Sequence, residues 1–226
     1  MLKNKKTYYQ LILDRSGSMG SCAEEAVSGF NEQVQQIKLL QEKYPEQEFL
    51  VSLTTFNHRI SMDIDRQRAS EIKELYVSFI ESHVSNKDAI AYVPDGMTAL
   101  YDAIGLSVSH LENVIGEEIA RDEATAVVVI ITDGWENSSR EYSYEEVQRL
   151  IGRLEKTNDW TFSYLGATPD AVNIAVNLNI MPFNAMCFNK KTFKKTYQNL
   201  NANLDDYARD KQAYRKPKDF LRKNKS

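Results

Sequence analysis

The sequence predicts a doubly wound α/β domain, with six strands in a mostly parallel sheet, one antiparallel edge strand and helices on both faces. Three observations predict it. Runs rich in β-branched residues alternate along the chain with stretches of helical period. One run, AVVVII at 126–131, is apolar throughout, as a strand covered on both faces must be. Two further runs are separated only by Asn57-His58, which reads as a tight hairpin and therefore as an antiparallel edge.

Taken in order, TYYQLILD at 7–14 is the first strand and ends in a Ser/Gly-rich loop. Ala26, Phe30, Val34, Ile37 and Leu40 then recur at three- and four-residue spacing, the apolar stripe of a helix. FLVSLTTF at 49–56 and RISMDI at 59–64 form the hairpin. Ser70 reads as the cap of a short helix through Ile80, and 83–97 as an irregular connection. A helix is expected from Ala99 to Glu118, then the central strand ATAVVVIIT at 124–132. Ser143 with Glu146 three positions later is a capping box that opens a helix running to Lys156. WTFSYLG at 160–166 is a strand, Thr168-Pro169 reads as cap-then-proline at a helix start, and MPFNAMCF at 181–188 is the last strand. Lys190 to Tyr214 reads as helical, with a disordered end beyond it. This gives one α/β domain over 1–190 and a basic helix and tail over 191–226, appended to the same domain.

The bulk properties are those of an ordinary globular chain of 226 residues, large enough to bury a core without covalent staples. Cys22 and Cys187 lie 165 positions apart, a spacing that suggests neither a disulfide framework nor a thiolate metal cage. The amino terminus lacks the apolar run of a signal peptide, and no run is long enough to span a bilayer, so a cytoplasmic protein without membrane attachment is expected. The net charge of −4 hides an asymmetry: residues 190–226 hold twelve Lys/Arg and four Asp/Glu, net +8, which leaves −12 on the remainder. A basic tail on an acidic body reads either as a helix docked on that body or as an electrostatic handle for nucleic acid.

The chemistry concentrates at three places that the strand pattern puts at carboxyl ends, where open α/β sheets hold their ligands. Asp14, Ser16 and Ser18 alternate after the first strand and can face one point if the segment is extended. Asp133-Gly134 follows the central strand, and Thr98 stands at the amino end of the helix that precedes it. Carboxylates and hydroxyls are hard oxygen ligands, suited to Mg²⁺, with Mn²⁺ or Ca²⁺ as alternatives, rather than to zinc or copper. Neutral hydroxyls leave much of the metal's charge unquenched, so a partner's Asp or Glu can complete the coordination. Taken singly, Thr98 reads equally as a helix cap and Asp133-Gly134 as a turn.

DRSGSM at 14–19, DGMTALYDAI at 95–104 and ITDGWEN at 131–137 together resemble the three metal-site segments of the von Willebrand factor A family, in chain order and spacing. The resemblance extends over roughly residues 6–190. It implies a Rossmann-like fold and a metal-ion-dependent adhesion site, with Ser16, Ser18 and Thr98 touching the metal and Asp14 and Asp133 acting chiefly through water. It also implies a protein-binding role of the stand-alone intracellular bacterial kind, whose members often serve in assembly or stress response. Met97 departs from the small residue usual before the family's threonine, and Asp95 adds negative charge in the same loop.

Arg15, Asp95, Met97, Trp135 and Glu136 are the candidate partner-binding rim. Trp135 reads as a binding hot spot or as packing for its loop, and Arg15 as a guide for an acidic partner or a solvated side chain. His58, His83 and His110 are scattered and support no catalytic arrangement. A Mg²⁺-dependent phosphoryl-transfer enzyme is the competing class. It is disfavoured because Asp14 is followed two residues on by Ser16 rather than a second carboxylate, and because no P-loop is present.

Overall fold

The computed structural model describes residues 6–79, 89–213, 215 and 217–221. Its centre is a six-stranded sheet in the order β3-β2-β1-β6-β7-β8, built from β1 (Lys6–Asp14), β2 (Glu48–Phe56), β3 (Ile60–Arg68), β6 (Ala124–Thr132), β7 (Trp160–Gly166) and β8 (Ala185–Cys187). β1 runs parallel to both β2 and β6, while β3 returns antiparallel to β2. β4 (Leu75–Val77) and β5 (Ile90–Tyr92) make a separate parallel pair.

Side-chain alternation along the strands sorts the core into two layers. Tyr9, Leu11 and Leu13 of β1, with Val127, Val129 and Ile131 of β6, face α1 (Ala23–Lys43) and α5 (Phe193–Gln212). Tyr8 and Ile12, with Ala126, Val128 and Ile130, face α2 (Leu100–Ala120), α3 (Tyr144–Glu155) and α4 (Ala171–Asn177). The sheet winds outward in opposite senses from β1 and β6, whose carboxyl ends lie side by side, with Leu13 opposite Ile131. That is the crevice where doubly wound sheets take their ligands.

Several elements differ from expectation. No helix runs from Ser70 over the described residues: Ala69–Glu71 is one 3-10 turn and Leu75–Val77 is a strand, while Ile80 and His83 fall outside the described residues. The reason is tertiary. The Asn31 side chain on α1 takes both backbone groups of Leu75, accepting from its N–H at 2.9 Å and donating to its carbonyl at 3.0 Å, which holds the segment extended. In the 83–97 connection, residues 90–92 pair with β4 as a strand. The fourth helix starts at Ala171 rather than at Pro169, and the last strand shrinks to three residues preceded by a 3-10 turn at Pro182–Asn184. The capping box at Ser143 and Glu146 is complete.

The carboxyl-terminal segment is part of the core. α5 lays Phe193, Tyr197, Leu200, Leu204 and Tyr207 against α1 and the sheet. Phe220 and Leu221, expected in a disordered end, are buried, and the Asn184 carboxamide accepts from both of their N–H groups and donates to Lys218 O. Phe220 packs on the rings of Tyr9 and Tyr207.

Candidate metal centre

Asp14 ends β1 and is fully buried. Its carboxylate is fixed from two sides: Ser16 N–H donates to Oδ1 at 2.7 Å, and the Thr132 hydroxyl at the end of β6 donates to Oδ2 at 2.6 Å. Its backbone carbonyl accepts from the Tyr92 hydroxyl at 2.5 Å. Burial pushes the Asp14 carboxyl up to about 6, against the hydrogen bonds from Thr132 and Ser16, and the charge of nearby Asp133 adds to the rise.

Beyond Ser16 the chain does not stay extended. Ser16 caps a 3-10 turn, Gly17–Cys22, so Ser18 reaches the site by the tightness of that turn rather than by strand alternation. There the Ser18 hydroxyl lies 3.1 Å from Ser16 Oγ and donates to Asp133 Oδ1 at 2.6 Å. Thr98 comes from the third segment. Its N–H donates to Asn137 Oδ1 at 2.8 Å and its carbonyl accepts from Asn137 N–H at 3.0 Å, which ties the loop before α2 to the loop after β6.

All five candidate ligands therefore meet, and Gly134 marks their focus. A β-carbon on Gly134 would stand 3.0 Å from Thr98 Oγ1, 3.6 Å from Ser18 Oγ and 3.7 Å from Asp14 Oδ2. Three oxygens from three segments thus surround one point beside Gly134, where a side chain would begin. Among the described residues no group of three or more His, Cys, Asp or Glu is placed to hold a metal; the donors here are two carboxylates and three hydroxyls, a set that fits a hard cation.

The loops behind the site are well anchored. Gly17 N–H donates to Gly96 O at 3.1 Å, Asp95 N–H to Arg15 O at 3.0 Å and Ala99 N–H to Asn57 O at 2.7 Å. Gly96 needs its freedom, since its φ is +70° and a β-carbon there would overlap the His58 ring. Asp102 accepts from the N–H groups of Arg140, Glu141 and Tyr142, which secures the far end of the 133–143 loop.

A model of the von Willebrand factor type A domain matches residues 10–204. The chain belongs to that family. Among solved structures it shares the von Willebrand factor A fold with proximal thread matrix protein 1 from the mussel byssus (14% identity, TM-score 0.54, 88% of this chain and 46% of that one). A von Willebrand factor type A protein from Catenulispora acidiphila matches at 12% identity and TM-score 0.51, over 88% of this chain and 42% of that one. The PilB minor pilin from Streptococcus sanguinis matches at 11% identity and TM-score 0.50, over 89% of this chain and 62% of that one. The chain spans less than two thirds of the length of each of these three. A search of curated proteins found no matching relative. No helix among the described residues is long and apolar enough to cross a membrane.

The rim of this von Willebrand factor A domain divides in two. Met97 and Trp135 are 53% and 57% exposed and flank Thr98 and Asp133 in sequence, so both offer apolar surface beside the site. Glu136 is committed elsewhere: its carboxylate accepts from Ser138 N–H, Ser139 N–H, the Ser139 hydroxyl and Tyr101 N–H, which makes it a clamp of its own loop. Arg15 and Asp95 pair with each other at 3.6 Å, and Asn57 Nδ2 also donates to Asp95. The negative charge of Asp95 is thereby largely answered within its own loop.

Two residues of the site were missed in the sequence. Thr132 was visible as the hydroxyl that ends an otherwise apolar strand. Lys190 was not: its ammonium reaches back to pair with Asp133 Oδ2 and donates to Ser18 O at 2.9 Å.

Proposed function

We propose that this chain is a protein-binding module in which a divalent cation, Mg²⁺ by donor chemistry, is held at the crevice between β1 and β6 and is completed by a carboxylate of a protein partner. One observation carries the reading: the oxygens of Asp14, Ser18 and Thr98 close around a single point above Gly134, with Ser16 and Asp133 hydrogen-bonded to Ser18. Ser16, Ser18 and Thr98 would supply neutral hydroxyl ligands, and Asp14 and Asp133 the negative charge that balances the ion. A cation there would favour the charged form of Asp14, which burial disfavours.

The chemistry such an ion supplies is Lewis acidity left unquenched by neutral ligands, available to an incoming carboxylate. The protein's own part is positional. Thr132 and the Ser16 amide fix the Asp14 carboxylate, and Asn137 locks the two ligand loops together. Met97 and Trp135 then offer apolar contact around the charged centre, the layout of an interface whose anchor is surrounded by water-excluding surface. Two of the structural relatives are by name a minor pilin and a thread matrix protein, in keeping with an assembly role.

The test is calorimetric titration of the full chain with Mn²⁺ and Mg²⁺, alongside Asp14→Ala. Binding that Asp14→Ala removes, and partner capture lost on addition of a chelator, are the expected results. Equal metal binding by both proteins would overturn the reading.

A further inference from the structure

Lys190 supplies a positive charge inside the site, and it comes from the far end of the chain. The backbone that carries it is held on both sides. Phe188 N–H donates to Gly166 O at 2.9 Å, Phe188 and Phe193 stack at 4.4 Å, and both rings are buried in the layer between α1, α5 and the sheet. Between them the Asn189 side chain accepts from Lys191 N–H at 2.9 Å, closing the 3-10 turn Lys190–Thr192. The lysine stem therefore leaves a rigid base. Its ammonium meets three oxygens: Asp133 Oδ2, Ser18 O at 2.9 Å and Ser21 Oγ at 3.4 Å.

We infer that Lys190 is a tethered competitor for the cation site: its ammonium holds Asp133 when no divalent ion is bound and must leave Asp133 when one is. This rests on the metal-site reading above. Three points argue for competition rather than coexistence. The ammonium sits on one Asp133 oxygen while the Ser18 hydroxyl sits on the other, so both oxygens are already engaged. Ser18 is itself a candidate ligand, and the ammonium also takes its carbonyl, so the lysine braces the turn in its hydrogen-bonded arrangement. Finally, a divalent cation among Asp14, Ser18 and Thr98 would face a fixed positive charge across only one carboxylate, in a setting where Asp14 and Asp133 are almost wholly buried and screening is weak.

The placement also gives one of the two buried carboxylates a counter-charge. A buried charge stripped of its partner is strongly destabilising, and Lys190 is that partner for Asp133. The ammonium keeps about a third of its side chain exposed, so it has somewhere to go when displaced.

The experiment uses the full chain and two readouts. Mn²⁺ titration compares the natural protein with Lys190→Gln, Lys190→Arg and Asp14→Ala. Lys190→Gln is expected to bind about ten-fold more tightly, equivalent to about 1.4 kcal/mol, and Lys190→Arg to stay near the natural affinity. Independently of any variant, acetylation of Lys190 followed by mass spectrometry should run several-fold faster in saturating Mg²⁺ than in chelator, with exposed Lys191 as the reference. Unchanged or weaker binding by Lys190→Gln, or an acetylation rate indifferent to Mg²⁺, overturns the inference while leaving the metal site standing if Asp14→Ala still abolishes binding. Absence of Mn²⁺ binding in both the natural protein and Lys190→Gln overturns the inference and the metal reading together.

Discussion

The two ends of the sheet each receive a lysine from the carboxyl-terminal part of the chain, and the two lysines are used differently. At the carboxyl ends of the strands, Lys190 meets Asp133, a carboxylate that also belongs to the candidate metal centre. At the amino ends, Lys211 at the foot of α5 is buried and donates to Lys6 O at 2.7 Å, Thr7 Oγ1 at 2.8 Å and Thr125 Oγ1 at 2.9 Å. None of these three oxygens belongs to the candidate metal centre. The same side chain is thus a fixed strut at one end and an exchangeable counter-ion at the other. What differs is whether the acceptor has a second use.

That contrast can be broken by showing that changes at the lower end move metal affinity, or that changes at the upper end mainly move stability. The largest expected effect lies between the ends. A β-carbon at Gly29 on α1 would overlap the Tyr197 ring of α5, so Gly29→Ala should cost about 3 kcal/mol of stability by overpacking, measured by denaturant unfolding. Gly134→Val comes next, because its side chain fills the point that the ligand oxygens surround. It should weaken Mn²⁺ binding by about 100-fold, equivalent to about 2.7 kcal/mol, read by calorimetric titration. Lys211→Met takes a donor from Thr7 and the Lys6 carbonyl, while Thr125 keeps the Tyr207 hydroxyl, and should cost about 2 kcal/mol, with calorimetric metal affinity unchanged. Smallest is Ser143→Ala, which removes the capping box of α3 and should cost about 1 kcal/mol. Any of the last two that shifted metal affinity would join the ends that the comparison separates.

The fold was legible in the sequence where local pattern and tertiary environment agree. The wholly apolar β6, the hairpin at 57–59 and the capping box are short-range signals that no distant contact overrides. The site was legible for a related reason, since each ligand-bearing segment abuts a strand end or a helix start, and placing the elements placed the oxygens. The convergence of Asp14, Ser16 and Ser18 was foreseen on the wrong ground, because the 3-10 turn that delivers Ser18 leaves no alternation to read. The segment at 70–77 was misread because the Asn31 carboxamide, 44 positions from Leu75, decides its conformation. Glu136 looked like a rim residue because nothing local shows that the N–H of Tyr101, on α2, donates to it. Lys190 was invisible for the same reason carried further: its partners Ser18 and Ser21 lie 172 and 169 positions away, and only the closed fold puts them within reach of one ammonium.

The stapling of residues 218–221 by Asn184 has a practical corollary for anyone who would move this domain. The family match stops at residue 204, and a fragment cut there, or at 190 where the basic stretch begins, would look like a complete cassette. It would lack Phe220, which wedges against the Tyr9 and Tyr207 rings, and a cut at 190 would strip α5 from the sheet as well. Deleting the stretch to ask what its charge does would therefore confound charge with architecture. A transplanted unit has to include residues 218–221, and the charge is better interrogated in place, by neutralising Lys194 and Lys195 on the solvent side of α5 while the wall they stand on remains.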